Sequence, residues 1–146
     1  MPHLVILYTP QLDAETDMSA LCRKLADTML ELKDESGAQV FPTGGTRVLA
    51  YPAAHSAVAD GERDYAFMYL NVRMAKGRGA AVHQRCGDTL VAAAKAHLAP
   101  LYEKRYIGMT LQVDEGHEVF DAKHSSIHPL FAPPPTAAVP AKSETP

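Results

Sequence analysis

A proline stands directly behind the initiator methionine in the opening MPHLVILY, at the mouth of an apolar run that reads as a strand. Inside a sheet a proline contributes no backbone donor. At a chain start it contributes an amine. Methionine aminopeptidases usually remove an initiator methionine that precedes a small residue, so the expectation is that Pro2 becomes the amino terminus. An α-amino group has an ordinary pKa of roughly 7.7–8.0, and burial or a neighbouring cation lowers it by disfavouring the charged form. Such a group is poised near working pH as a general base, and the proline ring holds it rigidly.

Two arginines have the placement to hold a small anion nearby. Arg47 closes the turn FPTGGTR, which spans Phe41 to Arg47, and Arg78 lies between Gly77 and Gly79 ahead of a predicted helix. A guanidinium stays charged and binds a carboxylate through paired hydrogen bonds. A helix start adds unpaired N–H groups and the positive end of the helix dipole. His3 either lines the same pocket or packs within its strand.

Each of these residues also has a plainer reading. Met-Pro is a common start, and singly Arg47 and Arg78 read as exposed charges on a turn and at a helix end. Arg73, inside a strand, reads as a structural or interface ion-pair partner. Tyr8, Phe67 and Tyr69 read as core or interface. No metal is expected: His124 and His128, with His117 as a possible third, lie in a segment with no helical pattern and have no carboxylate or thiol at ligand spacing. No cofactor is expected either, since GxGxxG is absent and Gly44 and Gly45 are too few for a phosphate loop.

The elements that must position these side chains follow from periodicity. Pro2 to Tyr8 is almost continuously apolar, which suits a central strand covered on both faces. Met18, Leu21, Leu25, Met29 and Leu32 keep helical spacing, with Asp13 or Thr16 as the N-cap and Gly37 as the stop. Gly44 and Gly45 give the FPTGGTR turn access to positive φ. A second strand is expected over 47–53, and DYAFMYLNVRM reads as a long third strand, again covered on both sides. Val82, Cys86, Leu90, Ala93, Ala94, His97, Leu98 and Leu101 form the buried face of a second helix that Pro100 ends or kinks. Ile107, Met109, Leu111 and Val113 alternate with Gly108, Thr110 and Gln112 in a fourth strand, Tyr106 to Val113.

The order is strand-helix-strand twice over, an α+β pseudo-repeat of two βαβ units with right-handed crossovers. Two helices cover one face of a four-stranded sheet, while strands one and three are apolar on both. The uncovered face then meets other subunits, which predicts an obligate oligomer. At 146 residues the chain holds one domain, expected over 1–131. The segment 132–146, APPPTAAVPAKSETP, has no periodicity and little to offset the entropy of ordering, so it is expected to be a disordered tail.

A net charge of −3 supplies no basic footprint for nucleic acid or anionic membrane, so neither is expected as a partner. No secretory signal or membrane-length apolar segment is visible. Cys22 and Cys86 form no CxxC pair and read as buried free thiols, which fits a reducing compartment and a cytoplasmic protein.

MPHLVILYTP, FPTGGTR, DGERDYAFMYLNVRMAKGR and KRYIGMTLQVDE, in this order and spacing, resemble the 5-carboxymethyl-2-hydroxymuconate isomerase family of the tautomerase superfamily, from Pro2 to about Phe131. The resemblance implies a βαβ-βαβ subunit packed as a homotrimer, with Pro2 as the catalytic base and Arg47 and Arg78 holding substrate carboxylates. It implies a cofactor-free ketonisation of a dienol formed in homoprotocatechuate breakdown. The alternatives are another activity of the superfamily (tautomerase, hydratase or dehalogenase), in which a protonated proline acts as an acid, or a noncatalytic trimeric binding module.

Overall fold

The structure, a computed structural model, describes residues 2–134. Four strands, β1 (His3–Tyr8), β2 (Arg47–Pro52), β3 (Tyr65–Met74) and β4 (Tyr106–Glu115), form one sheet in the order β2-β1-β3-β4. β1 runs parallel to β2 and antiparallel to β3, and β3 runs parallel to β4. A short helix α1 (Leu12–Glu15) and a long one, α2 (Met18–Glu31), connect β1 to β2; α3 (Ala80–Tyr102) connects β3 to β4. The expected pair of βαβ units is therefore present. The last element is a 3₁₀ turn over His128–Phe131. Most of the proposed tail, 135–146, lies outside the described residues. Among the described residues no helix is long and apolar enough to cross a membrane.

The core lies between one face of the sheet and the two long helices. Leu4, Ile6 and Tyr8 of β1 and Met68, Leu70 and Val72 of β3 meet Leu21, Leu25 and Met29 of α2 and Cys86, Leu90 and Leu98 of α3, all buried. Within the subunit β1 and β3 alternate between buried and partly exposed residues, where cover on both faces was expected. Leu7, Leu49 and Tyr51 point away from the helices and remain 44–50% exposed. Apolar residue types on both faces thus record a second surface that this subunit does not itself cover.

Local signals were shifted more than the elements. The N-cap of α2 is Asp17, whose carboxylate accepts from the Ala20 N–H at 2.9 Å. The two residues expected there are otherwise engaged. Asp13, inside α1, accepts from the Tyr8 hydroxyl at 2.6 Å, and Thr16 is hydrogen-bonded to His97 at 2.9 Å. α2 stops at Glu31, ahead of Gly37, which instead takes φ +83° in a turn organised by the Asp34 carboxylate. α3 runs two residues past Pro100 to Tyr102, so the proline falls in the last turn and the helix ends soon after it. Gly44 and Gly45 do not use positive φ. They are buried under the 3₁₀ turn, and a Cβ on Gly44 would stand 2.9 Å from the His128 Cα, so close approach requires the glycine.

Both cysteines are free thiols. Burial pushes Cys86 up to about 11, against the opposing charge of Arg78. An acid whose pKa rises on folding contributes stability in full below its unfolded value and loses it as pH climbs through the folded one. Denaturant titrations between pH about 9 and about 11 should therefore show a fall in stability that is shallower in Cys86→Ala.

Candidate active site

Pro2 is buried and enters β1 at the end of the sheet where β2 begins and β3 ends. The register sets its surroundings. His3 faces Arg47 of β2 on one side and Arg73 of β3 on the other, and Arg73 in turn faces Asp114 of β4. A row of four side chains, Arg47, His3, Arg73 and Asp114, therefore crosses the helix-free face one residue beyond the proline. Directly paired strands lie about 4.8 Å apart. Arg47 is thus a strand neighbour of the segment carrying the candidate base, although 45 residues separate Pro2 from Arg47 in the chain.

The arginines are held differently. The half-buried Arg47 donates from Nη1 to the Gly45 carbonyl at 3.3 Å, folding back over its own turn. Arg73 is more exposed and pairs with Glu118 at 3.5 Å, in keeping with the structural role expected of it. Arg78 follows Gly77, which takes φ +99°, and precedes Gly79, the N-cap of α3. Its guanidinium donates to the Val40 carbonyl at 2.6 Å and to the Ala75 carbonyl at 3.1 Å, and it lies 5.6 Å from the centroid of the Phe41 ring. Arg78 is half-buried, so it is a fixed group, unlike the exposed helix-end charge of its plainer reading.

Pro2, His3 and Arg47 are thus gathered by the sheet register, and Arg78 is joined to the segment leading into the FPTGGTR turn. The Val40–Phe41 anchor was missed from sequence, since a contact across 38 residues leaves no local trace. His128 packs over Gly44 and Gly45. Among the described residues no group of three or more His, Cys, Asp and Glu side chains gathers in a metal-binding arrangement. A cavity of about 770 Å³ opens elsewhere, between α2 and β2, lined by Cys22, Ala26, Val48 and Ala50 among others and by none of the candidate site residues.

Two βαβ units in one mixed sheet with the helices on a single face define an α+β fold that is tautomerase-like. The family model for 5-carboxymethyl-2-hydroxymuconate isomerase matches residues 2–131. A 5-carboxymethyl-2-hydroxymuconate Delta-isomerase of Escherichia coli is 27% identical over 131 residues, covering 90% of this chain and 99% of that protein. The crystal structure of a 5-carboxymethyl-2-hydroxymuconate delta-isomerase superposes with a TM-score of 0.89 at 54% identity, covering 93% of this chain and 96% of that one. The crystal structure of a 5-carboxymethyl-2-hydroxymuconate isomerase from Deinococcus radiodurans R1 gives 0.80 at 29%, covering 90% and 95%. The chain belongs to the 5-carboxymethyl-2-hydroxymuconate isomerase family.

Proposed function

We propose that this isomerase ketonises 5-carboxymethyl-2-hydroxymuconate or a closely similar unsaturated polycarboxylate dienol, without a cofactor. The observation that carries the proposal is the register that seats Pro2 at the head of β1, beside the strand bearing Arg47, in a chain whose family match begins at that proline. With Met1 removed, the neutral amine of Pro2 takes the enol O–H proton and returns it to a carbon at the far end of the conjugated system. One proton leaves oxygen and one arrives at carbon, so no redox partner or water is consumed. Arg47 and Arg78 hold the substrate's carboxylates and the negative charge that spreads through the dienolate; their positive charge also favours the neutral amine.

The working unit is a homotrimer in this proposal. The exposed apolar side chains of the helix-free sheet face, Leu7, Leu49 and Tyr51, support burial against other subunits. The two free thiols support a reducing compartment, and we place the enzyme in the cytoplasm.

The test is a preparation whose free Pro2 terminus is verified by mass spectrometry, mixed with the dienol while its ultraviolet absorbance is followed. The expected result is rapid decay of the dienol band with formation of the conjugated ketone. Decay no faster than in buffer would overturn the assignment.

A further inference from the structure

The turn FPTGGTR was singled out for its proline, glycines and arginine; its first residue has no part in that account. Phe41 is fully buried, and the Arg78 guanidinium sits over its ring at 5.6 Å. The same guanidinium reaches the carbonyl of the preceding residue, Val40, at 2.6 Å and that of Ala75 at 3.1 Å. Two carbonyls fix the guanidinium in its plane, and a buried ring faces it where water would otherwise lie. Five N–H donors belong to an arginine, and these two bonds leave others to meet an anion. Arg47 stands six residues beyond Phe41 in the same turn, with its Nη1 on the Gly45 carbonyl.

We propose that Phe41 is a positioning residue, whose buried ring presets the Arg78 guanidinium and ties it to the turn that carries Arg47, so that the two cations meet the substrate's carboxylates as one unit. This rests on the assignment of both arginines to carboxylate binding. The plainer account makes Phe41 a core residue that happens to lie under Arg78, and the two differ in one respect. A packing role depends on the ring's volume and apolarity, whereas a positioning role depends on the negative potential of its face.

Replacement of Phe41 by mono-, di- and trifluorophenylalanine drains that potential in steps with little change in volume. The KM for the dienol is expected to rise in the same steps, about threefold to thirtyfold across the series, the span of a cation–π contact. kcat should stay level, since a less well placed guanidinium weakens ground-state and transition-state binding alike and so appears in KM. The melting temperature should fall modestly, because the ring–guanidinium contact is already made in the free folded chain, and that fall too should vanish once Arg78 is replaced. In an Arg78→Gln background the dependence on fluorination should vanish. A flat KM across the series, or a slope that survives Arg78→Gln, would overturn the proposal. A second readout is independent of turnover: the Arg78 Nε–H resonance should shift, and its exchange with solvent accelerate, stepwise through the series. If the wild type fails to ketonise the dienol while these Arg78 signals still track fluorination, the substrate assignment falls and the positioning role stands. Signals that do not respond would sink the positioning role whatever the activity.

Discussion

Any residue left ahead of Pro2, whether a retained methionine or a cleavage-site remnant, is expected to remove most of the catalytic rate. An extension converts the amine into an amide nitrogen, which has no basic lone pair, while the rest of the domain is unchanged. General base assistance is typically worth ~10²–10⁴-fold, and the loss in kcat should fall in that span. Melting temperature should not move, because the first strand residue is His3 and the β1 ladders do not use the proline nitrogen. Pro2→Ala leaves a free, if more mobile, primary amine and should be milder than the extension. The pH profile decides the proton's direction. With the neutral amine as base, kcat/KM climbs as pH rises through the amine's pKa and then levels. A profile that falls over the same range would instead mark a protonated proline acting as an acid, the hydratase-like or dehalogenase-like alternative. Full isomerase activity in an extended protein would remove Pro2 as the base, whereas no ketonisation by the processed protein, with assembly and ligand binding unchanged by the extension, would favour a binding module.

How much of this was legible beforehand depended on the range over which each feature is determined. β4 could be read from its alternation, because an edge strand with one half-covered face writes burial at period two. β1 and β3 were legible as central strands, yet their helix-free sides carry Val5, Leu7, Phe67 and Tyr69, residues suited to a cover this subunit does not supply. The cap of α2 slipped to Asp17 since several residues there have capping side chains, and tertiary partners decide among them: Tyr8 claims Asp13 and His97 claims Thr16. Gly44 was read as a turn glycine with access to positive φ, which it does not use; what requires it, the His128 backbone 2.9 Å from where a Cβ would stand, lies more than 80 residues away. The candidate site divides in the same way. The individual residues Pro2, Arg47 and Arg78 could be named from local signals, whereas the pairing of His3 with Arg47 and the seat of Arg78 on Val40 and Phe41 exist only after folding.

Arg47→Ala and Arg78→Ala are each expected to lower kcat/KM about 10²-fold, the scale for removing one preorganised contact to a developing charge. Their signatures should differ. Arg47 donates to the Gly45 carbonyl of its own turn and stands beside the strand that carries the base. Its loss should appear chiefly in kcat if it meets the dienolate end of the substrate. Arg78 bridges two backbone carbonyls and caps a buried ring, so Arg78→Ala also leaves the Val40 and Ala75 carbonyls without this donor. An unsatisfied buried acceptor costs about 1–3 kcal/mol, and a fall in unfolding free energy of that order should accompany the kinetic defect. Arg78→Lys separates the two effects. Lysine retains the charge but lacks the planar fork that reaches both carbonyls, so weak carboxylate binding should return while the stability loss persists. Steady-state kinetics with the polycarboxylate dienol and an analogue lacking one carboxylate complete the assignment. An arginine that binds the missing carboxylate has nothing left to lose on the shorter substrate, and its alanine variant should then match the wild type. If both variants discriminate the two substrates just as the wild type does, neither arginine holds that carboxylate, and an alanine variant that keeps the wild-type kcat/KM on both substrates would make its arginine a structural charge at the mouth of the sheet.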